Sequence, residues 1–98
     1  MTTDISTNGG DPRKRTVLLI EDDGELREAM ADALDARGLS VIVAGDGREG
    51  LRQMRERRPD VVVLDLMMPG MDGWQFRIQQ RLEPNLADTP VVALSASH

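Results

Sequence analysis

The sequence predicts an α/β fold: a doubly wound parallel sheet in the order β-α-β-α-β-α-β. Three observations point there. The apolar runs at 16–20, 61–64 and 91–94 are uniformly apolar rather than alternating, as parallel strands covered on both faces are. Segments with helical spacing separate them, as in crossover units. Crossovers between parallel strands are right-handed, which leaves few topologies.

The elements follow in order. Residues 1–15 are polar and small, with Gly9-Gly10 and Pro12, and are expected to be a disordered tail. Within it, Arg13-Lys14-Arg15 reads as a solvated lead-in to the first strand, TVLLI at 16–20. Leu26, Met30, Ala33 and Leu34 recur at helical spacing, and Gly38 stops that helix. Residues 41–44 form a second short strand. Asp46 caps a second helix, with Glu49 completing a capping box; Leu51 and Met54 face inward and Pro59 ends it. VVVL at 61–64 runs into Asp65. Asp72 caps a third helix carrying Phe76 and Ile78, and Pro90 opens a fourth strand that ends in Ser95.

Bulk properties narrow the function. The 98 residues allow one small domain. A net charge of −5 argues against nucleic acid as a direct partner. With no cysteine, disulfides and thiolate metal sites are excluded. No run approaches a membrane span and no apolar h-region opens the chain, so the expected location is cytoplasmic.

The polar residues leaving the strands are Glu21-Asp22-Asp23, Asp65 and Ser95. In such sheets ligands bind at the carboxyl ends of the strands, so these groups share the productive edge. If the first and third strands are neighbours, Asp22 and Asp65 come together with Glu21 beside them. Their repulsion calls for a raised pKa, a basic partner or a metal. With oxygen donors and no His or Cys near in sequence, Mg²⁺ suits the cluster. Asp23, at a helix start, reads as a cap; Asp65 or Ser95 taken singly reads as a loop residue.

The motifs LLIEDD, AGDGREGL, DLMMPGMDG and LSA together resemble the response-regulator receiver family, from Thr16 onward. The resemblance implies a flavodoxin-like, receiver-type sheet and a phosphoacceptor domain of two-component signalling, a switch rather than an enzyme. Asp65 would accept a phosphoryl group from a sensor histidine kinase or phosphotransfer protein. Glu21, Asp22, Asp65 and the main-chain carbonyl of Met67 would hold Mg²⁺, and Ser95 would contact the phosphoryl group. Met68, Pro69 and Gly70 would shape the loop. Leu26, Ala29 and Met30 would be kinase contacts, a reading that competes with a core role.

Against the family pattern, the last helix-strand-helix portion and its lysine are missing. The sheet is therefore expected to be incomplete, with four strands and three helices in residues 16–98. Lys14 is the chain's one lysine. The exposed fourth-strand edge is expected to favour self-association, as a dimer or by exchange of elements. A receiver-like interaction module that is not productively phosphorylated is the alternative. Two other readings rank lower. Gly45-Asp46-Gly47-Arg48-Glu49-Gly50 fits a dinucleotide fingerprint, but Asp46 would face a pyrophosphate. A haloacid-dehalogenase-type phosphatase needs D-x-D, and Met67 stands where its second acid would be.

Overall fold

A computed structural model of the chain describes residues 14–66 and 73–94. Seven elements alternate along it. They are β1 (Thr16–Ile20), α1 (Gly24–Ala36), β2 (Ser40–Ala44), α2 (Gly47–Arg57), β3 (Val61–Asp65), α3 (Gly73–Leu82) and β4 (Val91–Leu94). All pairings are parallel, and the strand order is β2-β1-β3-β4. The expected four-strand doubly wound sheet is the one observed.

That order fixes where the helices lie. The chain steps from β1 to β2 in one direction, then back past β1 to β3 and on to β4. Right-handed crossovers therefore place α1 on one face and α2 with α3 on the other. Leu18, Ile20, Ile42, Ala44, Val62 and Leu64 point to the second face. There they form the core with Leu51 and Met54 of α2, Phe76 of α3, and Leu86. Gly50 lets α2 sit close on β1, because a Cβ there would overlap the buried Ile20 side chain.

Helix ends follow local chemistry. Asp23 Oδ1 accepts the backbone N–H groups of Glu25 (3.0 Å) and Leu26 (3.1 Å), which caps α1. At its other end Gly38 adopts φ 88°, with Gly38 N–H on Asp35 O and Leu39 N–H on Leu34 O, a Schellman closure. The helix α2 begins at Asp46, whose Oδ1 accepts Glu49 N–H at 2.8 Å. The expected capping box is only half formed. The Glu49 carboxylate turns instead to Arg52 and Gln53, where charge and a second donor are available. Beyond α2, Arg58 takes the left-handed conformation, φ 48° and ψ 66°, before the buried Pro59. Gln80, fully buried, ties α3 to the segment before β4. Its amide donates to Leu86 O (2.8 Å) and Thr89 O (3.0 Å), and its Oε1 accepts from Arg77.

Two expectations need correction. The fourth strand is not covered on both faces: Val92 is 51% exposed, and Ala93 and Leu94 are also exposed. β4 is an edge strand, and α1 packs only over β1 and β2, so nothing among the described residues covers that face of β4. Nor does the apolar spacing of α1 become core. No residue of α1 is fully buried, Leu26 and Ala29 are exposed, and Met30 is half-buried. The expected Asp72 cap, the loop residues Met68, Pro69 and Gly70, and the expected tail apart from Lys14 and Arg15 lie outside the described residues.

Candidate functional site

The site begins with register. Ile20 of β1 pairs with Leu64 of β3, so the next residue of each strand, Glu21 and Asp65, emerges at the same edge. Asp22 follows Glu21. Carboxylate oxygens of Glu21, Asp22 and Asp65 all lie within 4.8 Å of one another. The cluster expected from the sequence is thus assembled by neighbouring parallel strands. Asp23 stands apart as the α1 cap.

Each acid has a different setting. Glu21 is buried, Asp65 half-buried and Asp22 exposed. Glu21 is also the best anchored. Its N–H donates to Ala44 O (3.1 Å) and its carboxylate accepts Asp23 N–H (3.2 Å). Burial is the main reason its pKa stands above the usual carboxylate value. The Asp23 N–H pulls the other way, while the Asp65 charge and contacts with Asp65 and Asp22 add to the rise. Hard oxygen donors in that arrangement form an acidic cluster of the kind typical of a Mg²⁺ site.

Two residues that the sequence reading passed over shape this edge. Arg27 Nη1 donates to the Glu21 carbonyl (2.9 Å), and its guanidinium lies against Gly24 and Gly45. It therefore joins α1 to the loops after β1 and β2. Its only sequence signal was a cation one helical turn beyond the acidic pair. Gly73 begins α3 directly behind Asp65. A Cβ there would lie 2.7 Å from Asp65 O and overlap the Leu66 backbone, so only glycine permits this approach. Gly73 N–H closes the intervening loop onto Leu66 O at 3.3 Å.

Two expected site residues, Met67 and Ser95, lie outside the described residues. Pairing of Asp65 with Leu94 is described, and so is the bond from Leu66 N–H to Leu94 O (3.2 Å). The dinucleotide reading loses its phosphate cradle, since the Asp46 carboxylate already occupies the α2 N-terminus. Among the described residues no helix is long and apolar enough to cross a membrane.

A family model for the response regulator receiver domain matches residues 17–98. The chain belongs to this family. It is the receiver domain of a two-component response regulator, a signalling module rather than a classical enzyme, and receiver domains pair with sensor histidine kinases. The transcriptional regulatory protein AfsQ1 of Streptomyces coelicolor is 41% identical over 81 residues, covering 83% of this chain and 35% of that protein. The DNA-binding response regulator MtrA of Mycobacterium tuberculosis is 43% identical over 86 residues, covering 88% and 36%. The chain thus spans about a third of the length of these curated relatives.

Solved structures agree on the fold. The N-terminal domain of a response regulator receiver protein from Methanoculleus marisnigri superposes with TM-score 0.81 at 33% identity, covering 84% of this chain and 67% of that one. Chemotaxis protein CheY4 of Vibrio cholerae gives 0.82 at 30%, covering 87% and 71%.

Proposed function

We propose that Asp65 accepts a phosphoryl group from a sensor histidine kinase or phosphotransfer protein. The observation that carries this reading is the meeting of Glu21, Asp22 and Asp65 at one sheet edge of a receiver domain. A carboxylate oxygen of Asp65 bonds to phosphorus as the N–P bond of a phosphohistidine breaks. The histidine nitrogen keeps the bonding pair, and Asp65 becomes an acyl phosphate. Glu21, Asp22, Asp65 and the Met67 carbonyl would hold Mg²⁺, which offsets charge on the transferring group. Ser95 would donate a hydrogen bond to a phosphoryl oxygen after transfer. Burial and the Asp23 N–H fix Glu21 in place, while Gly73 sets the backbone behind the nucleophile. The relatives' names, a transcriptional regulatory protein and a DNA-binding response regulator, suggest transcription as the output of the whole protein.

Acetyl phosphate labelling read by intact mass tests this. A Mg²⁺-dependent gain of roughly 80 Da, one phosphoryl group, is expected in wild type and not in Asp65→Asn. Equal labelling of both would overturn it.

A further inference from the structure

Within the basic run Arg13-Lys14-Arg15, the described residues Lys14 and Arg15 have no part in the acidic edge. Lys14 and Arg15 instead enter β1 at the opposite, amino-terminal edge of the sheet. Two loops join them there. Ser40 N–H donates to Arg15 O (2.9 Å), which places the turn carrying Arg37 on one side. On the other side Asp60 N–H donates to Thr16 O (2.8 Å) and Thr16 N–H donates to Asp60 Oδ2 (2.7 Å). That second loop carries Arg57 and Arg58. All five cations are exposed, and among the described residues none has an ion-pair partner. Asp35 and Asp60 flank these loops, and Glu56, beside Arg57, is paired with Arg52, which leaves an excess of positive charge among the described residues.

A simpler account covers part of this. Arg37, Arg57 and Arg58 offset the negative ends of the α1 and α2 macrodipoles. Lys14 and Arg15 lie on no helix, and they complete a patch that spans the entries of three adjacent strands. The acidic cluster does not cancel it. Five-residue strands separate the two edges by about 16 Å. The Debye length is about 10 Å at 0.1 M salt. A net charge of −5 therefore describes neither end.

We propose that this edge is a contact surface for the phosphate backbone of a nucleic-acid duplex. Guanidinium forks suit phosphate oxygens. Residues 14–15, 37–40 and 57–60 present no aromatic ring for stacking on single strands and no exposed large apolar side chain for a membrane. Recognition by charge alone is independent of sequence and steeply salt-dependent. The contact is independent of phosphorylation at Asp65.

The test is fluorescence anisotropy of a labelled random duplex of about 20 base pairs with the 98-residue chain, across salt. Five cations against two carboxylates neutralise about three phosphates, so affinity falls roughly 80-fold between about 20 and about 100 mM salt. Arg57→Gln combined with Arg58→Gln reduces that fall to about 4-fold. Arg37→Gln alone lies between the two. These side chains are exposed, and far-UV circular dichroism checks that each variant keeps its fold. Absence of duplex binding at low salt, or a salt dependence unchanged by both variants, overturns the proposal. So does arginine-dependent binding to phosphatidylserine vesicles in the absence of duplex binding.

Discussion

Asp65→Asn removes one charge from the acidic cluster, and two consequences follow with opposite sign. Three carboxylates within 4.8 Å repel, each pair by about 3.5 kcal/mol at an effective dielectric of 20. Because Asp65 is half-buried and Asp22 exposed, screening leaves about 1–2 kcal/mol for relief at Asp65. Without metal the variant is therefore expected to unfold at a higher temperature, by roughly 5–10 °C for a domain of this size. With metal the order reverses. A ligand at a hundredfold excess over its Kd stabilises wild type by about 2.7 kcal/mol, and the variant has lost one of its ligands. Thermal unfolding by circular dichroism, in EDTA and then in saturating Mg²⁺, reads both arms. A variant less stable than wild type in EDTA would refute the electrostatic argument. An equal Mg²⁺ response in both proteins would refute the metal assignment.

The same cluster sets a pH dependence. Glu21 has a raised pKa in the folded protein, so the fold binds its proton more tightly than the unfolded chain does. Its contribution is fully present below the unfolded value of 4.5 and is lost as pH rises through the higher folded value. Metal-free stability should fall across that window, and fall less in Asp65→Asn. Mg²⁺ should bind more weakly at the acidic end, where protons compete for Glu21.

Other perturbations test the scaffold. Gln80→Leu should destabilise by about 1–3 kcal/mol in urea titration, because the Leu86 and Thr89 carbonyls and the Arg77 donor lose their partner. Arg58→Gly should be stabilising by a few tenths to about 1 kcal/mol, since relief at φ 48° outweighs the added freedom of the unfolded chain; Arg58→Val should destabilise. Light scattering of the 98-residue chain should detect association through the β4 edge at micromolar concentration, and a well-folded monomer would end that idea.

Much of the edge chemistry could be read from residues alone. The apolar runs ending in Ile20 and Leu64 each meet an acid at the next position, and parallel pairing brings those ends together. Periodicity reports which residues share a face. It does not report whether that face finds a cover. Leu26, Ile78 and Leu82 look like core by type and spacing, yet all are exposed. Gln80 looks like surface and is fully buried, because two carbonyls in the segment before β4 need its amide. Arg27 and Gly73 act through backbone atoms of residues distant in sequence or across a loop, and no local pattern encodes such contacts.

Net charge illustrates the same limit for function. Summed along the chain, −5 argues against a phosphate-bearing macromolecule. Folding sorts the sum by strand polarity. Strand exits carry Glu21, Asp22 and Asp65, while the entries to β1, β2 and β3 carry Lys14, Arg15, Arg37, Arg57 and Arg58. A doubly wound sheet brings all exits to one edge and all entries to the other. With roughly a Debye length or more between them, each edge meets its ligand with its own local charge. On the two proposals above, the acidic edge would draw a metal cation in the same molecule whose other edge would meet phosphates.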